Sequence, residues 1–227
     1  MPIELLSEKV IHSLFLKSLG LDPAPKVIEG KKLIACIGDS VTYGAGVQGQ
    51  TEYTWEYYLN ELLGNEYQVL NYGINARTLM SSGDYPYTKE RYYRISQSVE
   101  ADTYILMLGT NDAKPYNWHA KKFENEYLFF VRSFLDLPHK PRVILMTPPQ
   151  CYPDPETGVV AFDIDANNID NYIVPIVKKI GEQLNLEVID LHEYTQNHPE
   201  WFGDGVHPNA TGNKMFAELI CNSFIER

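Results

Sequence analysis

The stretch LIACIGDSVTYG, residues 33–44, decides how this chain is read. An unbroken apolar run ends at Gly38, and a polar turn carrying Asp39 and Ser40 follows at once. A run this short, with no polar residue at alternate positions, is a strand buried on both faces. Similar runs recur along the chain: QVLNYG (68–73), YILMLG (104–109), RVILMTP (142–148) and EVIDL (187–191). Longer amphipathic stretches separate them. WEYYLNELLG (55–64) ends at a glycine, FENEYLFFVRSFLD (123–136) ends before Pro138, and a last helix is expected over about 211–225. NIDNYIVPIVKKIGEQL (168–184) contains Pro175, which kinks or trims its first part because proline has no N–H to donate. Strand alternating with helix predicts an α/β fold with a parallel sheet and right-handed crossovers. In such sheets ligands collect beyond the carboxyl ends of the strands.

The totals narrow the function. The chain has 227 residues, enough for one sizeable domain, and 44% apolar with 22% charged residues is ordinary globular composition. A net charge of -11 disfavours nucleic acid and anionic membrane, which both need a basic surface. Cys36, Cys151 and Cys221 are odd in number and far apart, so neither a disulfide framework nor a zinc site is expected. The histidines are scattered, with no cluster at ligand spacing, and no metal or other cofactor is expected. Residues 1–30 read as an amphipathic helix, with Leu6, Val10 and Leu14 on one face, and a linker; residues 31–227 read as the main domain. That helix packs on the domain or brings two copies together. No run is apolar enough to span a bilayer, and no signal-peptide core is seen, so a cytoplasmic protein is expected.

The strand ends then become a census. GDSVTYGAG (38–46) follows the first strand, Gly73 and Asn75 the second, GTND (109–112) the third, and Asp204 and His207 lie beyond the fifth. Each alone is an ordinary turn. Together they supply a nucleophile, base, orienting acid and oxyanion donors. A serine hydroxyl attacks only when a base takes its proton. Ser40 is the candidate nucleophile, His207 the base and Asp204, on the same loop, the acid that holds the imidazole. The N–H groups of Ser40 and Gly73 and the side-chain amide of Asn111 are the candidate oxyanion donors. The sequon at Asn209–Thr211 flanks the base and reads as a helix start.

Ser40, Gly73, Asn111 and His207, in the blocks IGDSVTYG, GTND and DGVHPN, resemble the four residues for which the SGNH hydrolases, or GDSL esterases and lipases, are named. The first block lacks the Leu of Gly-Asp-Ser-Leu. The resemblance spans roughly residues 33–225 and implies a flavodoxin-like three-layer α/β/α fold, with five parallel strands, that hydrolyses esters through an acyl-enzyme. Three loops rich in Tyr, Trp, Asn and Pro (75–87, 109–118 and 147–153) suit a hydroxylated ring and lean toward the sialate and xylan O-acetylesterase-like branch. The expected partner is thus a small ester, an acetylated sugar. Asp39, Arg77 and Trp118 are candidate substrate contacts, and Arg77 has the alternative of pairing with Asp84. Thioesterase, lysophospholipase or acyltransferase activity, and carbohydrate binding without catalysis, are the competing functions.

Overall fold

The computed structural model describes residues 24–47 and 52–225, so the expected N-terminal helix lies outside the described residues. Five strands form one parallel sheet: β1 (Lys32–Gly38), β2 (Tyr67–Gly73), β3 (Thr103–Met107), β4 (Arg142–Met146) and β5 (Glu187–Ile189). Their order is β2-β1-β3-β4-β5. The helices are α1 (Ser40–Tyr43), α2 (Trp55–Leu63), α3 (Arg91–Ser98), α4 (Ala120–Leu135), α5 (Val174–Leu184), α6 (Leu191–Tyr194) and α7 (Ala210–Ile225).

The strands are apolar on both faces because both faces are covered. In β1, Leu33, Ala35 and Ile37 belong to one core with residues of α4 and α5, while Ile34 and Cys36 belong to the other with residues of α2 and α7. Tyr104 and Leu106 against Ile105 and Met107 repeat the alternation in β3. A two-residue period on a fully apolar strand thus feeds two cores, each closed by helices that bury one stripe: Phe123, Tyr127, Phe130 and Phe134 on α4, and Phe216 and Ile220 on α7.

Two elements differ from expectation. Helix α3 was not read from the sequence, because RYYRISQS is mostly polar and Ile95 is its one aliphatic residue. Ahead of α5, Pro175 does not stop the chain. Residues Ile169–Ile173 form a π-turn that leads directly into α5, with Pro175 in its first turn. A wider turn is one way to absorb a residue that cannot donate to the ladder.

The order of the sheet fixes where a ligand can bind. β1 lies between β2 and β3, so the connections leaving β1 and β3 diverge and open a crevice at their carboxyl ends. Two glycines, Gly38 and Gly73, end β1 and β2 in register there. A Cβ on Gly38 would stand 2.1 Å from Thr42 Oγ1 and 2.7 Å from the Met107 carbonyl oxygen. A Cβ on Gly73 would stand 2.2 Å from the Tyr43 nitrogen and 2.5 Å from the Thr42 carbonyl carbon. The neighbours of Gly73 are backbone of α1, which cannot step aside without moving Ser40. Gly73→Ala is therefore expected to lower stability by about 3 kcal/mol, the upper end of overpacking penalties, measured by urea unfolding. A variant as stable as the parent would contradict this packing.

Candidate active site

Ser40 is the first residue of α1, directly after β1. Asp39 before it is the N-cap, its Oδ1 accepting from Val41 N–H at 3.0 Å. The cap turns the chain sharply and leaves the Ser40 hydroxyl at the crevice. His207 Nε2 lies 2.9 Å from Ser40 Oγ, and His207 Nδ1 lies 2.7 Å from Asp204 Oδ2. A serine distant in the chain thus joins two residues of one loop in an unbroken line, with both ring nitrogens of the histidine engaged.

The loop holding His207 is built for rigidity. Asp204 Oδ1 accepts from the N–H groups of Val206 and His207, at 3.0 and 2.7 Å. Gly205 has φ 81, and a Cβ there would lie 2.2 Å from the Tyr152 carbonyl oxygen, so glycine is required on two counts. From α7, buried Asn213 donates to the Pro208 carbonyl and accepts from Trp55 N–H, tying the loop to the start of α2. Asn209 accepts from Gly212 N–H, so the sequon does open a helix.

The remaining candidates fare differently. Asn111 lines the crevice with Ser40 and His207. Its Nδ2 donates to the Arg77 carbonyl at 3.2 Å and stands 3.5 Å from Asp39 Oδ2, the outer limit of a hydrogen bond. The second amide hydrogen is weakly held and free to turn to a better acceptor. Gly73 needs correcting. Its N–H donates to Asn71 Oδ1 at 2.8 Å, and the residue packs under α1, away from the crevice lining. The backbone beside Ser40 comes instead from Ala76, which has φ 64.

None of the three candidate substrate contacts lines the crevice at Ser40. Arg77 is buried and paired with Glu90, Nε and Nη2 reaching Oε1 at 3.1 and 2.9 Å, while Nη1 donates to the Asn75 carbonyl. It clamps the loop that carries Ala76. Its alternative partner, Asp84, pairs with Lys114. Trp118 is half-buried against Phe123 and Tyr172. Asp39 is buried and acts as the cap, outside the crevice lining. Residues not singled out in the sequence supply much of the wall: Ala45, Lys114, Phe162, Ile164 and Val206. Phe162 has φ 62, and its ring meets that of His207 edge-on at 5.1 Å. Backbone strain at a bulky residue marks a place the fold over-determines. No turn signal in AFD (161–163) gives it away.

Electrostatics separates the carboxylates. Partial burial pulls Asp204 upward, but hydrogen bonds from the His207 ring and N–H outweigh it and hold the carboxyl at about 2. It is therefore ionised beside the imidazole at neutral pH. Burial pushes Asp39 up to about 6 against the N–H of Val41 and the charge of His207. Burial likewise pushes Asp112 up to about 7 against the N–H groups of Met80 and Leu79.

The fold and this geometry together define a class: a flavodoxin-like α/β protein with a serine–histidine–aspartate line at the switch point. A family model described as the GDSL-like Lipase/Acylhydrolase family matches residues 36–215, and the chain belongs to that family. An acetylxylan esterase from Xylanibacter ruminicola is 32% identical over 91% of this chain. The chain spans about half the length of that relative, 45% of it. Among solved structures, a carbohydrate acetylesterase from Sinorhizobium meliloti superposes with a TM-score of 0.68, at 20% identity over 86% of this chain and 99% of that one. An aryl esterase from M. smegmatis gives 0.67, at 19% identity over 86% and 99%. These likenesses bear on the fold.

The raised carboxyls give a pH signature. Asp39 holds its proton more tightly folded than unfolded, so its contribution is full below its ordinary value of 3.8 and fades as pH rises through about 6. Asp112 acts in the same direction up to about 7. Asp39→Asn keeps a good N-cap and removes one buried charge. The fall in thermal midpoint from pH 5 to pH 8 should therefore be smaller in the variant than in the parent. An equal or larger fall would show that Asp39 is ionised throughout.

Proposed function

We propose that this chain is a serine esterase that removes acetyl groups from a carbohydrate. The observation that carries the reading is the line Asp204–His207–Ser40 at the mouth of a crevice of about 250 Å³. Ser40 Oγ attacks the ester carbonyl carbon while His207 Nε2 takes its proton, and Asp204 steadies the imidazolium that forms. The carbonyl oxygen becomes an oxyanion. The Ser40 N–H, the weakly held amide hydrogen of Asn111 and the Ala76 N–H, in the role expected of Gly73, are its donors. The tetrahedral centre collapses, and His207 returns the proton to the departing sugar oxygen. Water then repeats the sequence on the acetyl-serine, with His207 again as base.

The crevice supports a short acyl group. Its walls include Ala45, Ala76, Phe162, Ile164 and Val206, and it is smaller than pockets that take drug-sized ligands. A longer chain would gain about 0.8 kcal/mol for each buried CH₂ only where apolar wall remains to cover it. For the alcohol, the reading draws on the acetylxylan esterase relative and the carbohydrate acetylesterase of like fold. The exposed rings of Tyr85, Tyr116 and Phe162 on neighbouring loops favour a hydroxylated ring over a fatty one.

Ser40→Ala should abolish hydrolysis of p-nitrophenyl acetate and labelling by a fluorophosphonate, with circular dichroism unchanged. Labelling that persists would remove Ser40 as nucleophile. Asn111→Ala should lower kcat by roughly 10²–10³, the usual loss for one oxyanion donor, with a smaller change in KM. A normal kcat would give Asn111 a purely structural part. Across p-nitrophenyl esters of increasing length, kcat/KM should be highest for acetyl and fall for long chains. A steady climb with length would replace the sugar ester by a lipid or acyl thioester.

A further inference from the structure

A second cavity of about 770 Å³ adjoins the crevice at Ser40. The two share Ile164, and the loop 159–165 runs between them, with Phe162 on the crevice side and Asp163 on the other. Tyr116, Val159, Asp163, Asp165 and Asn167 are among the residues lining this larger groove. Tyr116 is 65% exposed, yet it is not loose. Its hydroxyl reaches Asp84 Oδ2 at 3.4 Å, and the Lys114 ammonium stands 6.0 Å from its ring centroid. The ring is therefore oriented from one side and open on the other. Phe162 and Asp163, consecutive residues at φ 62 and 59, hold the partition in a conformation that bulky side chains rarely adopt.

The lining chemistry selects among ligands. Its charged lining side chains are Asp163 and Asp165, both acids; Lys114, beside Tyr116, is neutralised by its pair with Asp84. The chain as a whole carries -11. A uronate, sialate or phosphate would meet like charge. An acyl chain would lay methylenes against carboxylates that need water. A neutral sugar suits this mixed lining: its apolar ring faces lie on Tyr116, Val159 and Ile164, and its hydroxyls donate to the carboxylates.

We propose that this groove binds the sugars next to the acetylated one, in an uncharged oligosaccharide. The inference rests on reading the Ser40 crevice as the ester-cleaving site. The groove would thus supply binding energy remote from the carbonyl, usable in the transition state.

The test compares parent protein with Tyr116→Ala and Asp163→Asn; asparagine tolerates the left-handed backbone of position 163. Two measurements are made: kcat/KM on a short acetylated xylo-oligosaccharide relative to p-nitrophenyl acetate, and calorimetric titration of the same oligosaccharide without acetyl groups. Tyr116→Ala should lower the ratio of the two kcat/KM values about tenfold and weaken calorimetric binding by a like factor, about 1.4 kcal/mol. Asp163→Asn should weaken both less, since an amide oxygen still accepts. No calorimetric binding by the parent, or equal loss on both esters, would overturn the proposal. A homogalacturonan oligomer that binds the parent as tightly would overturn the choice of an uncharged ligand. Should the parent cleave no ester, the esterase reading fails, while the titration still decides whether the groove takes sugar.

Discussion

Close backbone contact between α1 and the ends of β1 and β2 is the constraint on which the rest depends. It exists because Gly38 and Gly73 present no side chain where the turn of α1 must pass. With that space clear, the chain leaving β1 can fold back over the sheet end within one turn, capped by Asp39. Ser40 then faces the crevice rather than the solvent beyond the sheet. The glycine at the end of β2 serves the nucleophile by giving way beneath it. Its own N–H is bound to Asn71.

The histidine arrives by a different route, and its position is secured by a different device. No strand carries it; it sits on the loop just before α7. Asp204 fixes that loop by accepting two backbone N–H groups with one oxygen and the imidazole with the other. One side chain thus shapes the loop and orients the ring. Asn213 performs a similar double duty from the helix behind, binding the loop and the start of α2. The loop that carries Ala76 is pinned by Asp112, which accepts from the N–H groups of Leu79 and Met80, and by the Arg77–Glu90 pair. Arg77 is held by the Glu90 carboxylate and the Asn75 carbonyl, and so braces the loop rather than facing the crevice.

Much of this was legible beforehand. Five short runs rich in Ile, Val and Leu specify five strands, because a strand covered on both faces is apolar at most positions. The alternation with helices specifies a parallel sheet, and that specifies the edge where a ligand binds. Ser40, Asn111, Asp204 and His207 were then visible as polar residues on that edge, and the structure brings all four together. Helix α3 was not legible, because its buried positions, Tyr92 and Ser96, are not aliphatic and leave no apolar stripe to mark the face.

What the sequence determined by itself was the set of strands, their covering on both faces and the polar residues delivered to one edge. These follow from local rules of period and turn that act over a few residues. Only the tertiary structure decided which edge residues face the crevice and which brace it. Gly73 and Arg77 both stand in the right loops, yet Asn71 takes the N–H of one and Glu90 the guanidinium of the other. Ala76 and Phe162 carry no polar group and no turn signal, and they reach the site through left-handed backbone forced on them by surrounding contacts. The direction of an N–H or a ring is fixed by contacts across the whole fold, and no short stretch of sequence contains them.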